Sequence, residues 1–199
     1  MIARACLTIL LRVDGSVNKA TIKNLPLAFY AAQYWVGHAK LGNVSLHARE
    51  AIQRVFDPTE PYYSTWSWLR YNDERRESIS ETPPTLAAPL YCAAEEGLDD
   101  VAEWLITSRS QDPNGLHGLP TPLYYASGPG KLKVAQVLIK HGADTNSRCS
   151  NCWPPLHVAS FNGLLGTSHL LIDNGADVNA RYGDGLTPFI WPLWQGIWR

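Results

Sequence analysis

The chain has 199 residues, a formal net charge of −1 and an apolar content of 45%. This composition is that of an ordinary globular protein with one medium or two small domains. The near-neutral charge gives no basis for bulk electrostatic binding to nucleic acid or to an acidic membrane. No run of apolar residues approaches the ~18 that are needed to span a membrane.

Two observations bear on the compartment. The four cysteines are too few for a disulfide framework in a chain of this size. The apolar run from Ala5 to Leu11 is soon interrupted by Arg12 and Asp14, and no small-residue cleavage site of a signal peptide follows it. We therefore expect an intracellular location, in the cytoplasm or the nucleus.

The sequence of residues 1–72 predicts a small helical domain. Apolar residues recur there at helical spacing between polar or proline-containing breaks. The predicted helices cover residues 1–12, 27–40, 45–56 and 62–71. The domain is rich in Trp and Tyr, which can stack on bases or sugars but more often fill cores. Because no Lys/Arg pattern is interleaved with them, we predict that these aromatic side chains pack rather than bind nucleic acid.

The same stretch resembles part of a known family over residues 3–72. The segments that carry the resemblance are Ala5-Cys6-Leu7-Thr8-Ile9-Leu10, the run from Pro26 to Ala39, Phe56-Asp57-Pro58 and Trp66-Ser67-Trp68-Leu69. They look like the helical stretch that follows the nucleotide-binding NACHT module in fungal NACHT–ankyrin proteins. In such proteins the NACHT module is a signalling ATPase switch and the ankyrin array is a sensor or scaffold. The resemblance implies a sensor end whose ATPase module is absent from this chain.

Between residues 73 and 84 the charge and proline content rise, which predicts an exposed linker. A pattern that returns at a constant interval then fills residues 85–199. Its copies are Ala88-Pro89-Leu90-Tyr91, Thr121-Pro122-Leu123-Tyr124, Pro154-Pro155-Leu156-His157 and Thr187-Pro188-Phe189-Ile190. Other positions in the same register are Ala93, Ala126 and Ala159, then Leu105, Leu138 and Leu171.

A repeat period of about 33 residues with a T-P-L-H-x-A pattern resembles the ankyrin repeat. The resemblance implies an all-α ankyrin-repeat solenoid of three repeats and an incomplete fourth, preceded by the small helical domain. The residue types fit: Thr121 can cap a helix that Pro122 opens. Gly142 and Gly175 fit the left-handed position after a second helix. One repeat cannot bury its apolar face alone, so stability comes from stacking on neighbours.

Three short motifs bear on possible chemistry. The run from Gly128 to Lys131 resembles the end of a phosphate-binding loop, but Leu132 stands where the magnesium-binding hydroxyl belongs, so we predict a structural turn. Cys149 and Cys152 have zinc-knuckle spacing without a second ligand pair, which leaves oxidation or metal capture open. We expect His157, in the T-P-L-H motif, to tie neighbouring backbone together. We predict no enzyme activity, no cofactor and no metal site.

The function predicted from these patterns is that of a protein-binding scaffold or sensor whose partner is another protein. Arrays of this kind bind through the first helices and the tips between repeats. The predicted binding residues are Glu95, Glu96, His117, Tyr125, Trp153, Phe161, Asn162, Arg181, Tyr182 and Asp184. The apolar segment from Gly185 to Arg199 predicts self-association through the C-terminal edge. The alternatives left open are the sensor end of an ATPase switch and a redox or zinc sensor at Cys149 and Cys152.

Overall fold

A computed structural model of the chain divides it into two compact units, Met1–Pro89 and Leu90–Arg199. The residues that the structure describes are 2–12, 26–40, 46–71, 88–116, 119–129, 131–149, 152–182 and 187–188. Every regular element within these ranges is an α-helix, which confirms the predicted all-α class. The predicted linker, residues 73–84, lies outside the described residues.

The first unit contains four described helices, at nearly the predicted positions. They are α1 (Ile2–Leu10), α2 (Pro26–Lys40), α3 (Leu46–Phe56) and α4 (Pro61–Tyr71). Helix α2 packs against α1 and α4, and α3 packs against α1 and α4. The two prolines stand at the first positions of α2 and α4, where the backbone has no partner for an N–H group.

Aromatic rings form the core of this unit. Trp35, Phe56 and Trp66 are fully buried. The ring centroid of Trp35 lies 6.2 Å from that of Phe56 and 6.3 Å from that of Trp66, in edge-on arrangements. The indole Nε1 of Trp66 donates a hydrogen bond of 3.1 Å to the Ala32 carbonyl, so this buried polar group is satisfied. The prediction that these rings pack is therefore confirmed.

Two tyrosines of α2 depart from that prediction. Tyr30 and Tyr34 are exposed, with ring centroids 4.9 Å apart on one side of the helix. The Tyr30 hydroxyl is 2.8 Å from Nε2 of His38, which lies two turns further along. Tyr30 and Tyr34, four residues apart, share one face of α2, whereas the buried Ala28, Ala32 and Trp35 lie on another.

The second unit is a series of helix pairs. Each repeat contributes a first helix and a second helix, and the second helices pack in a row, α6 with α8 and α8 with α10. The helices are α5 (Pro89–Glu96) and α6 (Asp99–Arg109), α7 (Pro122–Ala126) and α8 (Leu132–Lys140), and α9 (Pro155–Phe161) and α10 (Leu165–Asp173). Within repeats two and three the two helices pack on each other, and α7 also packs on α9. The predicted fourth repeat lies outside the described residues except for Thr187 and Pro188.

The expected local chemistry shapes these repeats. The Thr121 side chain accepts a hydrogen bond of 3.2 Å from the Tyr124 N–H and caps α7. Gly142 and Gly175 have φ values of +91° and +86°, as the position after a second helix requires. Ala126 is fully buried, so the paired helices approach closely. On α8, Val134 and Leu138 are fully buried, whereas Val137 is half-buried.

Repeat one ends its second helix differently. The sequence predicts a helix from Asp99 to Ser108, but α6 continues to Arg109, two positions further in the repeat than α8 and α10. Ser110 then takes the left-handed conformation, with φ +52°, that glycine takes in the later repeats. Its N–H donates to the Leu105 carbonyl and closes the helix.

Asparagines connect successive repeats in a chain of hydrogen bonds that we call the asparagine ladder. Asn114 accepts from the Asp144 N–H at 2.7 Å and donates to the Gly142 carbonyl at 3.3 Å. Asn146 repeats this one unit later, accepting from the Asp177 N–H at 2.7 Å and donating to the Gly175 carbonyl at 2.8 Å.

A D-x-N turn prepares each asparagine for the ladder. Asp112 and Asp144 accept hydrogen bonds of 2.8 Å from the N–H groups of Asn114 and Asn146. These short-range bonds fix the turn before the asparagine reaches the next repeat. The ladder therefore sets where the following segment, which we call the finger, leaves each repeat. The described parts of the fingers are residues 115–116 and 119–121, 147–149 and 152–154, and 180–182.

Candidate protein-binding surface

The predicted binding residues fall on the first helices and the fingers, where the sequence pattern placed them. Glu95 and Glu96 end α5, Tyr125 lies in α7, Trp153 precedes α9, Phe161 and Asn162 end it, and Arg181 and Tyr182 follow α10. His117 and Asp184 lie outside the described residues.

Three of these residues meet in what we call the repeat-three cluster. The ring centroid of Trp153 lies 5.0 Å from that of Phe161 and 6.4 Å from that of Tyr182, both edge-on. Phe161 leaves 39% of its surface exposed, and Trp153 and Tyr182 are half-buried. Such packing holds the rings in place while keeping apolar surface in contact with water. Rigid aromatic surface of this kind is enriched at the centres of protein interfaces.

Local structure brings the three rings together, although Trp153 and Tyr182 stand at opposite ends of repeat three. Trp153 comes directly before Pro154 and Pro155, whose fixed φ angles start α9. Phe161 is the last residue of that helix, and Tyr182 follows the turn after α10. His157 adds one more ring contact, with its centroid 6.5 Å from that of Tyr182.

Two arginines lie beside the cluster: Arg181 directly precedes Tyr182 in the chain, and Arg148 contacts the Arg181 backbone. Arg148 donates a hydrogen bond of 3.4 Å from Nη1 to the Arg181 carbonyl, so two successive fingers are connected at this point. Both arginine side chains are exposed. Arg148 was not among the predicted binding residues, and the signal that could have identified it is its register, one full repeat before Arg181.

A second group of predicted residues lies in repeats one and two. Tyr125 is half-buried, with its ring 6.2 Å from Tyr91 and 5.2 Å from Tyr124. Burial raises the pKa of Tyr125, and the carboxylate of Glu95 raises it further. Tyr125 thus packs between repeats, and its contribution to an exposed surface is smaller than that of Phe161.

Tyr91 and Tyr124 occupy the register position of the motif histidine. The Tyr91 hydroxyl accepts a hydrogen bond from the Leu116 N–H and so connects α5 to the finger that follows repeat one. Burial raises the pKa of Tyr91. The sequence predicts that His157 connects neighbouring backbone segments, and in repeat one the tyrosine at the same position of the repeat makes such a connection.

The two cysteines with zinc-knuckle spacing are paired with each other. Cys149 and Cys152 form a disulfide with their Cα atoms 5.2 Å apart, within the usual range. Of the two outcomes left open by the sequence, the structure shows oxidation. Within the described part of the chain, no three His, Cys, Asp or Glu side chains are grouped as metal ligands.

Two further expectations can be compared with the structure. Residues 127–129 and 131, which include most of the glycine-rich run, lie between α7 and α8, as a structural turn would. Among the helices of the described segments, none is long and apolar enough to cross a lipid bilayer.

Comparison with known proteins identifies the repeats. Residues 90–182 match the family model for ankyrin repeats, in three copies, which confirms the predicted ankyrin repeats. The chain is also 28% identical over 128 residues to the azaphilone pigments biosynthesis cluster protein L of Monascus ruber. That similarity covers 58% of this chain and 26% of the relative, so the chain spans about a quarter of that protein's length.

Proposed function

We propose that the ankyrin repeats of residues 90–182 are a protein-binding module whose principal contact surface is the repeat-three cluster. The observation that carries this proposal is the packing of Trp153 against Phe161 and Tyr182 at a place where Phe161 is 39% exposed. Repeat arrays present extended surfaces to partners through their first helices and fingers. The cluster lies at the junction of both.

The chemistry of this surface favours a protein partner. Its centre is aromatic, and the exposed arginines Arg148 and Arg181 lie on the two fingers beside it. Aromatic residues and arginine dominate the binding energy of protein interfaces. The aromatic side chains bury large areas at a small entropy cost. We infer a scaffold or sensor role in an intracellular setting, without catalysis by this chain. The NACHT resemblance of residues 3–72 stays a prediction, testable by sequencing upstream for a complete phosphate loop.

The test compares two single substitutions of the same kind in the same repeat. Phe161→Glu places a charge in the repeat-three cluster, and Leu165→Glu places one on a more exposed apolar side chain at the start of α10. Each full-length variant is used as bait in an extract of its source organism, with captured proteins quantified by mass spectrometry. We expect proteins that are captured by wild type and by Leu165→Glu to be lost with Phe161→Glu.

A fold control accompanies the test. Far-UV circular dichroism should be the same for both variants, and both should unfold cooperatively. Phe161→Glu should unfold at a slightly lower temperature than Leu165→Glu, because it removes the ring contact with Trp153. Equal capture by Phe161→Glu and wild type, with folding intact, would show that the partner does not use the repeat-three cluster.

A further inference from the structure

We propose that the Cys149–Cys152 pair is a reversible thiol–disulfide site that controls the repeat-three cluster, with glutathione disulfide as its class of oxidant. The inference deepens the proposed function, since it rests on the cluster as a binding surface. The observation that carries it is positional: the disulfide lies in the finger and ends at Cys152, the residue directly before Trp153.

The position of the two sulfurs suits exchange chemistry. Cys149 is partly exposed, whereas Cys152 is buried at 9% exposure. In such a pair the accessible thiol can attack the oxidant, and the shielded thiol can then displace the group bound in the mixed disulfide. The C-x-x-C spacing is the one that redox-active pairs use.

The other two cysteines are protected from the same oxidant. Cys6 and Cys92 are 3% and 1% exposed. Burial also raises the pKa of the Cys6 thiol, so little reactive thiolate forms there. Oxidation of the folded chain is therefore directed to the finger.

The disulfide is not needed to hold the fold together. It joins residues only three positions apart, and cross-links that close short loops stabilise a protein least. Repeats two and three are already connected by Asn146 of the asparagine ladder and by the packing of α8 on α10. Reduction should thus change the finger and leave the array folded.

The chemical step balances as a thiol–disulfide exchange. The Cys149 thiolate attacks one sulfur of glutathione disulfide, forms a mixed disulfide and releases one glutathione thiolate. The Cys152 thiol loses its proton to solvent and displaces the second glutathione. Two protein thiols are oxidised, one glutathione disulfide is reduced to two glutathiones, and excess glutathione reverses the reaction.

The effect on binding follows from what Trp153 contacts. A closed disulfide restricts the backbone before Trp153, and its ring then stays against Phe161 and Tyr182. Opening the disulfide removes that restriction, so the Trp153 ring is held less rigidly against its two neighbours and the surface offered to a partner is less ordered. Binding at the cluster should be stronger in the oxidised chain than in the reduced chain, because less entropy is lost on association.

The first experiment titrates the purified full chain with buffers of reduced glutathione and glutathione disulfide. Iodoacetamide trapping and peptide mass spectrometry then measure the state of each cysteine. We expect the Cys149–Cys152 disulfide to open and close with the buffer, while Cys6 and Cys92 stay thiols. A pair that stays reduced under excess glutathione disulfide, or that is trapped as separate glutathione adducts, would overturn the proposal.

The second experiment measures hydrogen exchange and capture in both states. We expect a severalfold loss of amide protection at residues 152–153 on reduction, no change in repeats one and two, and weaker capture. The Cys149→Ser/Cys152→Ser variant should behave as the reduced chain in every buffer. The proposal is wrong if capture is the same in both states while Phe161→Glu still abolishes it. If Phe161→Glu leaves capture intact, the proposed function fails instead, and the redox titration separates the two results.

Discussion

Replacing Asn146 by alanine should weaken the contact between repeats two and three. The substitution removes the acceptor of the Asp177 N–H, at 2.7 Å, and the donor to the Gly175 carbonyl, at 2.8 Å. It leaves the helices and their apolar contacts unchanged. Any loss of stability therefore measures the asparagine ladder itself.

The expected magnitude follows from the geometry. A net hydrogen bond is worth ~0.5–1.5 kcal/mol, and two are lost here. Asn146 is exposed, so water can replace part of what the side chain supplied. We expect the free energy of unfolding to fall by about 1–2 kcal/mol, at the lower end of the range for two bonds.

Urea unfolding followed by far-UV circular dichroism measures this change. The slope of free energy against urea should stay the same, because the exposed surface does not change. Asn174→Ala is the matched control: it is also exposed, but its side chain donates a single bond of 2.8 Å to the Leu170 carbonyl within its own helix.

A specific result would refute this reasoning. If Asn146→Ala and Asn174→Ala lower the stability equally, the bonds between repeats contribute no more than a local helix-end bond. Stacking of the apolar faces would then account for the stability of the contact between repeats, and the asparagine ladder would add no stability of its own.

Two other substitutions and one measurement on the unmodified chain have expected outcomes. Ser110→Gly should raise the free energy of unfolding by about 0.5–1 kcal/mol in the same urea assay, because a serine at φ +52° is strained where glycine is not. The pKa of Glu103 is lowered by hydrogen bonds from Lys140, at 2.8 Å, and from His141, at 3.2 Å. The ionised Glu103 side chain therefore stabilises the fold above its unfolded pKa of ~4.3. This stabilisation is lost as the pH falls through the lower pKa of the folded state. Glu103→Gln should therefore destabilise the chain at pH 7 and match wild type in acid unfolding near pH 2, and an equal effect at both pH values would contradict the assignment. Self-association through residues 185–199 predicts a light-scattering mass above that of the 22.1 kDa monomer at high micromolar concentration, and a strict monomer there would contradict it.

The parts of the fold that local chemistry dictates could be predicted from the sequence. Thr121 as a cap and Gly142 at a left-handed position depend on their neighbours within one turn, and the repeat period supplied their register. Ser110 could not be predicted in the left-handed conformation, because serine carries no such preference and the longer α6 decides it. The ladder was missed because its first copy, at Asn114, is one position out of phase with the later copies.

The candidate surface could be predicted only in part. Register placed Trp153, Phe161 and Tyr182 on the fingers and first helices. Their mutual contact depends on how the two ends of repeat three fold back on each other, which no local pattern encodes. For Tyr125, the same register could not show that the rings of Tyr91 and Tyr124 occupy the space around it.

The asparagines of the D-x-N turns are not evenly spaced: Asn114 and Asn146 are one position closer together in the chain than Asn146 and Asn179. Repeat one has one more residue before its asparagine and one fewer in its finger than repeat two. The first helices of the three repeats nevertheless start at a constant interval, at Pro89, Pro122 and Pro155. The asparagine thus fixes one position of each repeat, and an extra residue in the segment before it is offset by a missing residue in the finger after it. A gene for such an array can gain or lose a codon in one helix end and recover the phase in the next finger. Surfaces built on the fingers are therefore free to diversify while the helix stack keeps its spacing.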